Sequence, residues 1–257
     1  MSDTRRQALN VITAIAQAAA PAMPALGIGI SVGARAGVAS PLEVPAGYAF
    51  SIWGVIFLLG LIYAVQQALP SARSSSLYRE IGTGAWTLFG LSTAWMFVAQ
   101  LNGPNAVLAV IIVIMLVVAL RILATAWDNR GDAARTVVMP LFGLYAGWLT
   151  LATALNISGV LRDFGLAPFD LPDWQYASVV LLAGTLVAVP MLMRVQGLIW
   201  YAAAAVWGLA AVAVKDIPLG LPDGYGGIVA GGIALLLVLM AANYRRARYR
   251  EPAYPFV

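Results

Sequence analysis

The segment Tyr145-Ala-Gly-Trp148-Leu-Thr-Leu-Ala152-Thr153-Ala-Leu155-Asn156 lies at the centre of a long apolar stretch, about residues 135 to 158. It carries no charged side chain, and it combines large aromatic residues with the small residues Gly, Ala and Thr. A helix that crosses the roughly 30 Å core of a bilayer needs about 20 mostly apolar residues. We therefore predict that this stretch forms a membrane-spanning helix.

The rest of the chain has the same character. Of its 257 residues, 61% are hydrophobic and only 10% are charged, whereas a soluble domain carries about 25% charged residues. So many apolar side chains cannot all be buried in a water-surrounded core of this size, and the bilayer must act as the solvent. The composition predicts an all-α polytopic membrane helix bundle.

Eight apolar stretches are long enough to span a bilayer, and turn residues separate them. Within the first stretch, Pro21 and Pro24 are expected to kink the helix. The predicted spans are about residues 8 to 30, 47 to 69, 83 to 102, 105 to 127, 135 to 158, 176 to 194, 197 to 214 and 226 to 244.

The basic residues predict the orientation. Eleven arginines fall in one set of alternate loops and the two tails, against Arg35, Arg162 and Lys215 on the other side. Because cytoplasmic loops hold the excess of basic residues, we expect both termini in the cytoplasm, in a bacterial inner membrane. The spread of the arginines is not that of a nucleic-acid interface, and the basic tail from Arg245 to Arg250 is expected to lie on anionic lipids.

The residue types that are missing exclude most familiar chemistry. With no Cys and no His, the chain cannot form a disulfide, a Cys/His zinc site, a Ser-His-Asp triad or a His-ligated haem. All eleven acidic residues fall in loops, tails or helix ends, so carboxylate-based proton or cation transport is not expected. Lys215 is also expected to lack a buried carboxylate beside it. We assign no catalytic residue, metal site or covalent cofactor.

Three tryptophans lie inside predicted spans rather than at their ends. With about 1.5 Å rise per residue, Trp53, Trp95 and Trp148 lie about 9, 10 and 15 Å from the outer ends of the second, third and fifth helices. An apolar cavity walled by aromatic rings suits a flat lipophilic ligand. The alternative is that these are packing residues whose N–H groups bond to neighbouring carbonyls.

The segment Tyr145 to Asn156 resembles the fifth-helix signature of the TspO/MBR family, the tryptophan-rich sensory proteins, which reads Pro-Tyr-x-x-Trp-x-x-Phe-Ala-Thr-x-Leu-Asn. The second span is similar as well, with Pro45-Ala-Gly-Tyr48-Ala-Phe50-Ser-Ile-Trp53-Gly-Val-Ile-Phe57 against Pro-x-x-Trp-x-Phe-x-Pro-Val-Trp-x-x-x-Tyr. In the third span, Leu91-Ser-Thr-Ala94-Trp95 resembles Leu-Asn-x-Ala-Trp. The resemblance covers roughly residues 8 to 160.

The chain also departs from the family pattern. Leu144 replaces Pro, Tyr48 replaces Trp, and Ser92 replaces Asn. The end of the fifth helix lacks the Tyr of the proposed sterol motif, so sterol binding is not expected. We predict a five-helix TspO-like bundle at residues 1–165 and three additional transmembrane helices with a basic tail at residues 166–257.

The resemblance implies a pocket for a porphyrin or another lipophilic ligand, enclosed by the five helices and capped by the loop from about Ser31 to Gly47. Porphyrin degradation through pocket tryptophans is implied for some members, and Trp53 and Trp148 match those positions. Carried over by position, the ligand-binding candidates are Tyr48, Phe50, Trp53, Trp95, Tyr145, Trp148, Ala152, Thr153 and Asn156.

Two functions remain open on the sequence. The first is a sensor or transporter that binds a flat lipophile such as a tetrapyrrole. The second is a structural subunit or assembly factor of a larger membrane complex, with the three extra helices as its docking face. The small residues Gly227 and Gly231 predict close helix packing, either within the chain or at a homodimer seam. An open pocket would favour the first function, and a pocket filled by the protein's own side chains would favour the second.

Overall fold

The computed structural model describes residues 2–37, 40–129, 131–166 and 171–250. Helices make up 84% of it, and no strand occurs within those ranges. The long helices are α1 Asp3–Ala19, α2 Ile52–Ala68, α3 Ser76–Gln100, α4 Asn105–Asp128, α5 Arg135–Asp163, α6 Asp173–Arg194, α7 Ile199–Asp216 and α8 Gly224–Arg250. The predicted all-α polytopic bundle is confirmed.

Seven of these helices, in the part of the chain that the structure describes, are long and apolar enough to cross a membrane. The long helix outside this set is α3, in which Thr, Ser, Gly and Trp residues dilute the aliphatic ones. It nevertheless packs inside the bundle against α1 and α4. It therefore occupies the place of the third predicted span.

Several helix ends differ from the predicted boundaries, and two of them have a clear physical cause. The first α-helix stops at Ala19 and continues as a 3-10 segment, Ala20–Leu26, because Pro21 and Pro24 cannot donate the backbone hydrogen bonds of an α-helix. The third helix begins seven residues before the predicted start, at Ser76, where the Ser75 hydroxyl accepts a hydrogen bond from the Tyr78 N–H at 3.1 Å. A side-chain cap of this kind fixes a helix start that hydropathy does not reveal.

The inward face of α1 is polar. Arg6, Gln7, Asn10 and Gln17 are buried, whereas Ile12 is 62% exposed on the other side of the helix. Arg6 Nη1 donates to the Tyr78 carbonyl at 2.6 Å and Asn10 Nδ2 to the Gly82 carbonyl at 3.0 Å. Since lipid is as apolar as a protein core, such hydrogen bonds rather than hydrophobic burial hold α1 against its neighbours.

The central helix is α5, which contacts α2, α4, α6 and α7. Glycines set its distance from α7. A Cβ atom at Gly143 would lie 2.7 Å from the Trp200 Cβ, and one at Gly147 would meet the carbonyl oxygen of Tyr201. The two glycines, one helical turn apart, therefore let the two backbones touch.

Glycine also permits a close contact at the start of α8. A Cβ at Gly227 would lie 2.9 Å from the backbone nitrogen of Ile217, at the end of α7. Gly231 faces the same helix, because its nearest neighbour is the Ala213 Cβ at 3.9 Å. These glycines thus pack within the chain, which is one of the two alternatives that the sequence left open.

Candidate functional site

A cavity of about 570 Å³ lies at the end of the bundle where α3 ends and α4 begins. Its wall is mainly apolar and aromatic, with Leu108, Leu151 and Leu155 beside the rings. Leu181 of α6 and Val212 of α7 also line it. The wall therefore extends beyond the five helices that the resemblance implied, because two of the additional helices contribute to it.

The structure brings five of the nine predicted ligand-binding residues to this cavity. They come from the 3-10 segment Gly47–Ser51 just before α2 and from α3 and α5, which converge here. The five are Phe50, Trp95, Trp148, Ala152 and Asn156.

The other four candidates lie elsewhere. Tyr48 and Trp53 line a second cavity of about 550 Å³ between the loop, α2 and α3, and Phe50 borders both cavities. Tyr145 and Thr153 are not among the lining residues of either cavity. The Tyr145 hydroxyl donates to Gln17 Oε1 at 2.9 Å deep in the bundle, so its role in the structure is a helix-helix contact.

Trp53 is the centre of an aromatic cluster beneath the first cavity. Its ring centroid lies 6.0 Å from that of Trp95, 6.3 Å from that of Trp148 and 5.8 Å from that of Tyr145. Phe50 packs edge to face on Trp148 at 5.6 Å. Such arrangements hold each ring in a fixed orientation, so the cluster forms a rigid floor for the cavity.

The indole N–H groups of the three predicted tryptophans make no hydrogen bond to a carbonyl of the backbone among the described residues. Trp95 Nε1 donates to Asn156 Oδ1 at 3.4 Å, while Nε1 of Trp53 and of Trp148 is buried with no partner among the described residues. By contrast, Trp207 Nε1 donates to the Ala49 carbonyl at 2.8 Å. The carbonyl bonds of the packing alternative are thus found at Trp207 rather than at the three predicted tryptophans.

The loop that was predicted as a lid supplies the roof of the cavity. Its short helix, Val32–Arg35, and the segment around Pro41 and Glu43 face the cavity. Lys215 Nζ donates to the Pro41 carbonyl at 2.9 Å, which holds the roof against the end of α7. The Tyr48 ring packs edge to face on Trp207 of α7 at 5.8 Å, next to the roof. The additional helices thus hold the roof as well as part of the wall.

A buried ion pair anchors the middle of the roof. Glu43 is 1% exposed, and its carboxylate accepts hydrogen bonds from Arg162 Nε and Nη2, both at 3.2 Å, and from Ser158 Oγ at 2.5 Å. The Arg162 guanidinium also lies 4.3 Å from the centre of the Tyr176 ring. Because every charge in this group has a partner, the roof is joined to α5 and α6 without an isolated buried charge.

The expectation that no buried carboxylate accompanies Lys215 is wrong. Asp216 is fully buried, and its Oδ1 lies 3.4 Å from Lys215 Nζ. The end of α7 packs so closely on the glycine-rich start of α8 that water cannot reach this carboxylate. A position at a helix end predicts an exposed side chain, but tertiary packing buries Asp216.

Two charged residues of the cavity were missed from the sequence. They are Arg35 and Glu43, which line it from the loop. Glu43 could have been noticed, because a single acidic residue stands between two prolines in an otherwise apolar segment, Pro41-Leu-Glu43-Val-Pro45. For Arg35 the sequence offered no local signal beyond its position in the predicted lid.

A family model described as TSPO-like protein matches residues 7–243, which includes all but the ends of the chain. No curated protein and no solved structure matches the chain.

Proposed function

Since the chain belongs to the TSPO-like protein family and is an integral membrane helix bundle, we propose that it binds a flat lipophilic ligand, such as a porphyrin or another tetrapyrrole, for sensing or transport. The site is the cavity beneath the loop. The observation that carries this proposal is the open space of about 570 Å³ beside Phe50, Trp95 and Trp148. Small-molecule sites usually have volumes of about 300 to 1,000 Å³.

The chemistry of the wall supports a flat ligand. Ring faces and edges of Phe50 and Trp148 offer broad apolar contact, and Ala152 leaves room next to them. The side-chain amide of Asn156, which lines the cavity, can donate one hydrogen bond to a ring nitrogen or a carbonyl. A few fixed polar groups in an apolar wall are what orient a ligand in such a site.

The open cavity favours ligand binding over the alternative, a structural subunit that keeps only the fold. In a protein that serves only as a scaffold, the chain's own side chains could fill this space without loss of function. We further propose a location in the bacterial inner membrane with both termini in the cytoplasm, because the basic residues are concentrated in alternate loops and in the tails.

The test is a fluorescence titration of the detergent-solubilised protein with protoporphyrin IX, in which quenching of the intrinsic tryptophan emission is followed. Ala152→Phe fills the cavity and keeps all eight tryptophans, so the signal is preserved. We expect saturable quenching for the unaltered protein and a Kd raised at least about tenfold for Ala152→Phe, which corresponds to about 1.4 kcal/mol.

Leu186→Phe is the matched control, because it adds the same ring at a side chain that is 77% exposed on α6. Its Kd should equal that of the unaltered protein. Equal affinity of the Ala152→Phe variant, or absence of saturable quenching in the unaltered protein, would exclude this cavity as the binding site.

A further inference from the structure

Arg35 provides the positive charge of the cavity wall. It is half-buried in the roof, and it is the one basic side chain among the described residues that line the cavity. Its Nη1 donates to the Ala99 carbonyl at 3.0 Å, and its Nη2 to the Gly103 carbonyl at 3.5 Å and to Asn105 Oδ1 at 3.1 Å. All three acceptors are neutral oxygens. No ion pair to Arg35 is found within the described ranges.

The neighbouring carboxylates do not replace a direct counter-ion. Asp163 acts on Arg35 from the far side of Asn105, whose Nδ2 donates to Asp163 Oδ2 at 2.9 Å. The carboxylate of Glu43 is already held by Arg162 and Ser158. Burial lowers the pKa of the Arg35 guanidinium, and the charge of Asp163 opposes this effect. Arg35 thus stays charged, loses part of its hydration and gains no ionic bond in return.

An anion that enters the cavity would supply the missing bond. Arg35 keeps one Nη1 N–H and its Nε N–H free of the bonds described above, and a charge-assisted hydrogen bond from a guanidinium to a carboxylate is roughly twice as strong as a neutral one. The remaining wall is apolar and aromatic, so the rest of such a ligand must be lipophilic.

We infer that the cavity selects amphipathic anions, whose flat apolar body packs on Phe50, Trp95 and Trp148 while a carboxylate pairs with Arg35. The inference rests on the proposed function, because it specifies the ligand of the same cavity. It adds a requirement that lipophilicity alone does not contain: a negative charge at one edge of the ligand.

The test compares protoporphyrin IX, which carries two carboxylates, with its uncharged dimethyl ester. Both are titrated into the full-length protein and into Arg35→Gln. We expect the unaltered protein to bind the acid about tenfold more tightly than the ester, which is the size of one charge-assisted hydrogen bond. Arg35→Gln should lose this preference by weakening the acid, and its affinity for the ester should stay within about twofold.

The comparison of ligands separates charge from structure. If Arg35 served only to hold the loop against α3 and α4, the substitution would weaken acid and ester equally, and the inference would be wrong. Equal affinity of the unaltered protein for both ligands would also overturn it, while the proposed binding function would stand. Failure to bind either ligand would end both proposals.

Asp163→Asn provides an independent variant that keeps Arg35 in place. It removes the carboxylate that competes for the guanidinium, and an amide oxygen can still accept the hydrogen bond from Asn105. We expect tighter binding of the acid by a few-fold and unchanged binding of the ester. Weaker binding of the acid by this variant would contradict the inference.

Discussion

The hydroxyl of Tyr145 donates to Gln17 Oε1 across a distance of 2.9 Å, in a place that neither water nor the cavity reaches. This bond joins α5 to α1, and it uses a residue that the family resemblance assigned to the ligand pocket. A buried hydrogen bond between transmembrane helices contributes about 0.6 to 1.7 kcal/mol.

Tyr145→Phe should therefore lower the stability of the bundle by about that amount and leave ligand affinity unchanged. The measurement is unfolding in detergent with increasing SDS, followed by circular dichroism. Tyr63→Phe is the matched control, because the Tyr63 hydroxyl is buried with no partner among the described residues, and removing it leaves stability unchanged or higher. A larger loss for Tyr63→Phe than for Tyr145→Phe would contradict this assignment.

Because α5 and α7 approach closely at Gly147, adding one methyl group there should strongly lower the stability of the bundle. Gly147→Ala places a Cβ against the Tyr201 carbonyl, and overpacking of this kind costs about 1 to 3 kcal/mol. In Gly232→Ala the same change meets no atom within 4 Å, so the higher helix propensity of Ala should raise stability by up to about 1 kcal/mol. The same SDS titration measures the stability of both variants. If both change stability in the same direction, close packing at Gly147 does not explain the result.

Asp132 caps two helices at once. Its Oδ2 accepts hydrogen bonds from Ser75 Oγ at 2.8 Å and the Leu77 N–H at 3.1 Å, and its Oδ1 accepts one from the Ala134 N–H at 2.8 Å. Burial opposes the charged form, but these hydrogen bonds win and hold the pKa of the carboxyl below its ordinary value. Asp132→Asn should cost about 1 kcal/mol near neutral pH, as the loss of a helix cap does.

The lowered pKa of Asp132 determines how the stability lost in Asp132→Asn depends on pH. Because the pKa of Asp132 is lower in the folded state, its stabilising contribution is fully present above the unfolded value of about 3.9 and is lost as the pH falls through the folded value. Midpoints of unfolding measured from pH 7 down to pH 3 should show the unaltered protein and Asp132→Asn converging below about pH 4. A constant difference over this range would mean that the charge of Asp132 contributes nothing.

Arg162 contacts two carboxylates at the same distance. Only the pair with the buried Glu43 should contribute substantially to stability. Both Glu43 and Asp173 lie 3.2 Å from its guanidinium, but Glu43 is 1% exposed and Asp173 is 72% exposed. Loss of a buried hydrogen bond to a charged group costs about 1.5 to 3 kcal/mol, whereas an exposed pair contributes about 0 to 1 kcal/mol.

Glu43→Gln should therefore loosen the roof, and Asp173→Asn should not. The readout is amide hydrogen exchange in residues 40–47, the second part of the roof. Glu43→Gln should speed exchange there about tenfold or more. Equal protection of this segment in the two variants would show that the ion pair does not hold the roof.

The helices and the aromatic cluster could be predicted from the sequence because each depends on local information. Length and apolar composition located the spans, and the 1.5 Å rise per residue placed Trp53, Trp95 and Trp148 at similar depths. The burial of Arg6 and Gln17 on α1 could not be predicted, because in a membrane the apolar face of a helix points to lipid and hydropathy does not reveal the inner face. The partners of Glu43 and of Arg35 could not be predicted either, since 119 residues separate Glu43 from Arg162 and 64 separate Arg35 from Ala99.

The hydrogen bond between Lys215 and Pro41 also implies an order of folding steps during synthesis. The two residues are 174 positions apart, and ribosomes add about 5 to 20 residues per second, so the roof loop exists for roughly 9 to 35 seconds before Lys215 of α7 has been synthesised. Trp207, which holds Ala49, comes 158 positions after it. Arg35 and Glu43 can attach the loop to α3 and α5 before α7 exists, so the roof is attached in two stages and its contacts with α7 form last.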